Sequence, residues 1–370
     1  MLHGESSIVR VRKRVLAIFA LVALIAVALS PTACYLSRGA WEEGKILARR
    51  QPIAKLVADK SIDPLTRRKL EIVLAARQYA KDSIQLKTEE SFTTYSKLDR
   101  DTLVLVLSAA YRDRLEAYTW WFPIVGRVPY KGYFDFDEAR NAAKKFDKDG
   151  FDVVLRPSAA FSTLGWFNDP LTSTTLVRDS LDLANTVIHE VTHNTFYAPG
   201  EAVFNESFAN FVGARGAAAF FRSRGQPDAA AKVDAQWEDE KLLGDFWTHL
   251  ASSLDSAYAR HPAESREARI AARDTVYMNA RRSLVTDIGP RLKTIGPFYV
   301  QRVILNNAAL LARRVYAKDL DLFDQAYVRE GRNLRRTIAR IITLARSDKK
   351  DPFGALRAWL GVPPAAAARF

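Results

Sequence analysis

Val187-Ile188-His189-Glu190-Val191-Thr192-His193 is the stretch from which the rest of the chain can be read. It matches the H-E-x-x-H pattern, and the histidine spacing stacks both rings on one side only if the segment is helical. At about 100° per residue, His193 falls near 40° from His189 and Glu190 near 100°, while Ala184, Val187, Ile188 and Val191 take the opposite side. One face is therefore polar and can meet a metal; the other is apolar and suited to burial. Two imidazoles on successive turns can present ring nitrogens to a single Zn²⁺ at about 2.0–2.1 Å, with Glu190 beside the open position as a base.

A catalytic zinc site takes about three protein ligands and a water. The segment Phe204-Asn205-Glu206-Ser207-Phe208-Ala209 supplies an acid shortly after the Pro199-Gly200 break. Glu206 is the expected third ligand, because it opens an aromatic, Ala-rich helical run that can pack on the first helix and aim a carboxylate across the gap. Its competitor Glu201 lies nearer the break and suits a first-turn position favoured by the helix dipole. A closed, structural site would need a fourth ligand, for which His249 and His261 remain. For stabilising an oxyanion the candidates are Tyr299, Asn306, Asn307 and Tyr316, downstream of the zinc helix. The two asparagines equally suit a helix cap, and the tyrosines a core.

The 370-residue chain, 48% hydrophobic and 26% charged, has a composition ordinary for a globular protein, and disorder is not the expectation. Its net charge of +13 fits nucleic acid, an anionic membrane surface or an acidic substrate. The N-terminal pattern chooses among these. Arg10, Arg12, Lys13 and Arg14 precede an apolar run over residues 15–29, the layout of an export signal, which argues against nucleic acid. The run is shorter than the roughly 20 residues of a spanning helix, although residues 31–33 can extend it into an uncleaved anchor. Cys34 is the only cysteine, so no intramolecular disulfide forms. It stands where a lipid can be attached after signal cleavage, with Pro31 in the place where lipoprotein signals usually carry leucine. Either way the chain is expected to be exported and tethered to a membrane.

Beyond the anchor, residues 40–85 read as two helices punctuated by Pro52 and Pro64. Residues 102–107 form a buried strand, 118–134 sheet and turns, 136–147 a charged helix, 151–155 a strand and 159–164 a further short strand. The strand ending at Ser162-Thr163-Leu164-Gly165 is suited to align an extended peptide. From Asp179 onwards the pattern is helical, and the arginine pairs at 281–282, 313–314 and 335–336 read as solvated helix surface. The expected fold is α+β and mostly helical: a small mixed sheet, then a zincin-like H-E-x-x-H helix, then a C-terminal helical bundle. The segments are an anchor over 1–34, helices over 35–100, a catalytic core over 101–224 and the bundle over 225–370.

Several longer stretches narrow the reading: Tyr35-Leu36 with Arg50-Gln51-Pro52-Ile53, Trp121-Phe122-Pro123-Ile124-Val125-Gly126, Pro129-Tyr130-Lys131-Gly132-Tyr133-Phe134, and Ser162-Thr163-Leu164-Gly165-Trp166-Phe167-Asn168-Asp169-Pro170. With the H-E-x-x-H segment they resemble the bacterial predicted aminopeptidases, zinc-dependent peptidases of the gluzincin type, over most of the chain beyond the signal. The resemblance implies one zinc ion bound by His189, His193 and Glu206, with Glu190 as catalytic base. It also implies a peptide substrate and a periplasm-facing place in the bacterial envelope. The same metal chemistry serves an amidase or esterase, and a non-catalytic envelope binding protein is the reading from another class.

Overall fold

The computed structural model describes residues 31–99, 102, 104–122, 126–158, 170–314 and 318–363. The signal-like run, the expected strand at 159–164 and Tyr316 lie outside these residues. Among the described residues no helix is long and apolar enough to cross a membrane. The chain opens with α1 (Pro31–Ala48), β1 (Gln51–Pro52), α2 (Ile53–Ala58), α3 (Pro64–Asp82) and β2 (Thr94–Ser96). Residues 40–85 thus hold three helices rather than two. Pro52 caps the short α2, and Pro64 takes the first turn of α3 behind the Asp63 cap, where a missing N–H costs nothing.

A β-rich segment follows: β3 (Val104–Tyr111), β4 (Trp120–Phe122), β5 (Gly126–Val128), β6 (Lys131–Tyr133), α4 (Phe136–Lys148) and β7 (Phe151–Ser158). β3 is the centre of an antiparallel sheet in the order β6-β3-β7, with Val104 opposite Ser158 and Tyr111 opposite Phe151. Its Val104, Val106, Leu107, Ala109 and Ala110 are all buried, which explains an apolar run without alternation. The Asp135 carboxylate accepts the first amides of α4, and Gly150 turns the chain into β7 at φ +83°. A second small sheet mixes antiparallel and parallel pairing in the order β1-β2-β8, where β8 is Leu171–Thr172.

The remainder is helical: α5 (Ser173–Leu176), α6 (Ser180–Thr195), α7 (Ala202–Ser223), α8 (Pro227–Ala259) and α9 (Arg266–Ser283), which passes through a π turn and a 3-10 turn to α10 (Pro297–Arg302). Next come α11 (Asn307–Arg314), α12 (Leu320–Arg329), α13 (Leu334–Ser347) and α14 (Pro352–Leu360). This is the mostly helical α+β class expected from the sequence. α7 is the central helix and is buried on nearly every side, as its Phe, Ala and Gly content permits. The principal core gathers α3, α6, α7, the start of α8, α12, α13 and α14 around the stacked rings of Phe211 and Phe323.

Polar groups join the outer parts. The Arg215 guanidinium donates to both oxygens of Asp324 at 2.7 Å, and the buried Trp237 indole donates to the same carboxylate at 2.9 Å. Near β7, the buried Asp152 pairs with Arg273 and accepts the Asn307 backbone N–H at 2.8 Å. Of the arginine pairs, Arg282, Arg335 and Arg336 are exposed as expected. Arg281 instead folds back, donating to the Val300 and Gln301 carbonyls that end α10.

Candidate metal centre

α6 starts at Asp179, whose carboxylate accepts the Leu181 and Asp182 amides at 2.9 Å, a cap contributing about 1 kcal/mol. Its apolar face is the one the spacing requires: Leu183, Ala184, Val187, Ile188 and Val191 are buried. His189 and His193 stand one turn apart with their Nε2 atoms 3.3 Å from each other. Glu190 is exposed, and its charge acts on both imidazoles. At the far end of the helix, Asn194 donates to Ser91 Oγ at 2.9 Å, and Thr195 Oγ1 accepts the Lys87 N–H at 2.9 Å. The turn that carries His193 is thereby pinned to the loop after α3.

α7 returns antiparallel to α6 and presents Glu206, Ala209, Gly213 and Gly216 in one stripe, at steps of three and four residues. The two glycines set the distance of approach. A Cβ on Gly213 would lie 2.3 Å from Asn185 Oδ1 and 3.2 Å from His189 Cβ, and one on Gly216 would lie 2.8 Å from Ile188 Cγ2. The connecting loop is fastened by Asn205, a buried side chain that donates to the Ala198 carbonyl and accepts the Ala198 N–H, both at 2.8 Å. Gly200 supplies the positive φ, +85°, that the loop needs. Glu206, the next residue after Asn205, is then aimed at the histidines: Oε2 is 3.4 Å from His189 Nε2 and Oε1 is 3.6 Å from His193 Nε2.

The 3.4 and 3.6 Å contacts come from different oxygens of Glu206, and with the 3.3 Å Nε2 separation they bring one ligand atom from each of the three side chains within 4.8 Å of the others, the closeness that a shared ion requires. A tetrahedral ion with ligand bonds of about 2.0–2.2 Å has ligand atoms roughly 3.3–3.6 Å apart. Two nitrogens and one carboxylate oxygen also form the donor set that suits zinc. Among the described residues, these three side chains are the one group of imidazole, thiol and carboxylate ligands close enough together to hold an ion. Glu201 is the N-cap residue of α7 and stands outside the group; neither His249 nor His261 joins it. Among the described residues the set would supply three of the four ligands of a tetrahedral ion.

Electrostatics follow from partial burial. Desolvation opposes a charged His189, but its hydrogen bond to Glu206 and the charges of Glu190, Glu206 and Glu240 outweigh it and raise its pKa. At His193 desolvation prevails, helped by His189, and the pKa falls. Glu206 is held below its ordinary value because the two imidazoles outweigh its burial. Glu240, on α8, is exposed at its surface, but the surrounding protein desolvates its carboxyl and pushes it up to about 7.

The downstream oxyanion candidates lie in different settings. Asn307 is fully buried: its amide donates to the Tyr111 and Arg114 carbonyls and to Tyr258, and its oxygen accepts the Tyr277 hydroxyl. A side chain used on all sides in this way has no reach to a substrate. Asn306 caps α11 by accepting the Ala309 N–H and donates to the Val153 carbonyl. Tyr299 is exposed on α10 with its ring against Phe298, and Tyr316 is not among the described residues. Tyr197 was not singled out in the sequence; it is an exposed phenol whose ring meets that of His193 edge-on, with centroids 6.4 Å apart. Asn205 was missed as well, because its place depends on helix packing that no local pattern encodes.

Comparison with curated proteins returns no match, and comparison with solved structures returns none either. Residues 34–356 match the family described as putative aminopeptidase, and the chain therefore belongs to that family.

Proposed function

We propose that the chain is a zinc-dependent peptidase that removes residues from the N-terminus of peptides, with His189, His193 and Glu206 holding one zinc ion and Glu190 acting as base. The observation that carries this reading is the convergence of two imidazoles and a carboxylate within 4.8 Å of one another, with an exposed glutamate on the adjoining helical step. The family supports peptide hydrolysis as the chemistry. Zinc bound there supplies a Lewis acid that polarises a carbonyl and lowers the pKa of water.

The chain's own residues do the remainder. Glu206 opposes the two histidines from a separate helix, so the ligand set is preorganised by the α6–α7 packing. Glu190 is exposed and carries no ligand duty; it takes the proton of the attacking water and passes it to the leaving amine. Tyr197 offers a hydroxyl from the loop beside His193. The cationic N-terminal segment and Cys34 support export and a membrane tether, which mass spectrometry of the mature N-terminus tests.

The test of the mechanism is Glu190→Gln. The amide keeps the volume but accepts no proton, so zinc content should match the wild type while peptide turnover falls about 100-fold or more. Turnover at the wild-type rate would remove Glu190 from the role of base.

A further inference from the structure

The short helix α10 commits a single side chain to the interior. Val300 is buried with Leu250, Leu284 and Leu310 in a second core cluster, away from the principal core. Phe298 and Tyr299 of the same helix turn outwards, 56% and 69% exposed, with their ring centroids 5.6 Å apart. Ile304, just past the end of α10, and Met278, one turn before Arg281 on α9, are exposed as well. A group of large apolar side chains held in water marks an interaction surface.

This surface is firmly fastened. Arg281 donates to the Val300 and Gln301 carbonyls at 3.3 and 3.2 Å, and the buried Asp239 carboxylate accepts the Lys293 and Thr294 N–H groups at 2.8 and 2.7 Å. The segment that carries the two rings is thereby tied to α9 and α8, and their exposure is a property of ordered backbone.

Charge says what covers it. Residues 288–318 carry Arg291, Lys293, Arg302, Arg313, Arg314 and Lys318 and no Asp or Glu. Arg291, Lys293 and Arg302 are exposed around the aromatic pair, and among the described residues none of the three makes an ion pair. The Arg302 guanidinium lies over the Phe298 ring, 3.7 Å from its centroid, and a guanidinium stacked in this way still has N–H groups for a phosphate. A second copy of the chain would set these cations against their own kind. A nucleic acid would meet the cations and leave Phe298, Ile304 and Met278 without apolar contact. The headgroup layer of an anionic bilayer offers both partners at once: phosphates for the cations, and the boundary with the acyl chains for the aromatic and aliphatic side chains.

We propose that the α10 face docks on the surface of an anionic phospholipid bilayer, with Phe298 and Tyr299 entering the headgroup layer and Arg291, Lys293 and Arg302 meeting lipid phosphates. The contact is made by the folded body of the chain. It is separate from the tether expected at residues 10–34, and it does not rest on the peptidase reading.

The test attaches an environment-sensitive fluorophore to Gln301→Cys in a full-length Cys34→Ser chain, since residue 301 is exposed beside the patch. Excess vesicles of phosphatidylcholine alone, or of equal parts phosphatidylcholine and phosphatidylglycerol, are added. The anionic vesicles alone should shift the emission to the blue and allow quenching by brominated acyl chains, and both effects should fade as the salt is raised to about 1 M. The same label on Lys81→Cys of α3, a helix of the principal core, should not respond. Arg291→Gln with Arg302→Gln should lower the ratio of docked to undocked chain by about 30-fold, and Phe298→Ala with Tyr299→Ala by about 10-fold or more. Circular dichroism checks that both double variants are folded. An equal response to the two kinds of vesicle, or no response to either, overturns the proposal, as does a response to the anionic vesicles that both folded double variants retain in full. A shift that follows protein concentration without lipid also overturns it and gives the face to a second copy of the chain.

Discussion

Glu201 and Glu206 separate two kinds of glutamate that look alike in one dimension. Both follow the Pro199-Gly200 break, but only Glu206 faces His189 and His193, at 3.4 and 3.6 Å, while Glu201 is the N-cap residue of α7. On the proposed reading Glu206→Gln removes an anionic ligand, and it should weaken zinc binding by about 100-fold or more, with partial recovery of occupancy in excess zinc. Glu201→Gln should leave zinc affinity within about 2-fold of the wild type. Titration of both variants against a competing chelator decides, and the reverse ranking would exchange the two roles. At this scale the histidine pair was legible because its four-residue spacing is close to the helix period. Asn205 was not, since a buried amide that fastens a loop has no signature beyond its position beside Glu206. Asn306 and Asn307 attracted attention as donors, and their donors are spent on backbone carbonyls and a tyrosine.

Two helices make the centre, and their distance of approach is written in α7 rather than in the motif. Gly213 lies under Asn185 and His189, and a side chain there would meet the Asn185 backbone oxygen within 3.1 Å of its Cβ. Gly213→Val should therefore lower stability by about 2–3 kcal/mol and reduce zinc content, because α6 has to move away from Glu206. Denaturant unfolding and metal analysis on the same sample check both. A stable variant with full zinc would mean that the glycine stripe does not set the ligand geometry. The main helices and strands around this pair were readable from periodicity and from Pro and Gly breaks. The three-residue strands and the β1-β2-β8 sheet were not, because they depend on pairing between residues such as Gln51 and Tyr95, or Tyr95 and Leu171, that are far apart in sequence.

Across the whole molecule, the parts are tied together by charge as well as by core. Asp324 of α12 accepts from Arg215, Lys241 and Trp237, which lie on α7 and α8. Burial tends to raise its pKa, but Arg215 and the hydrogen bonds from Lys241, Arg215 and Trp237 outweigh this and hold it below its ordinary value. A lowered folded-state pKa means that the carboxylate's stabilisation is fully present above about pH 4 and is lost as the pH falls through the folded value. Asp324→Asn should accordingly cost about 3 kcal/mol at pH 7, and the gap to the wild type should narrow below about pH 4. Urea unfolding at several pH values reads this directly, and a gap independent of pH would contradict the assignment. The α+β class was legible because the β-rich and helical patterns occupy separate stretches. The sharing of one core by residues as distant as Ile53, Phe211 and Leu356 was not.

The claim on which the rest depends is that His189, His193 and Glu206 hold zinc. It is tested most directly by metal analysis of the purified wild type beside His193→Ala, with circular dichroism to establish that both are folded. The account predicts about one zinc per wild-type chain and less than about a tenth of that in folded His193→Ala. A folded wild-type chain that takes up no zinc, or a His193→Ala chain that holds as much as the wild type, would contradict it.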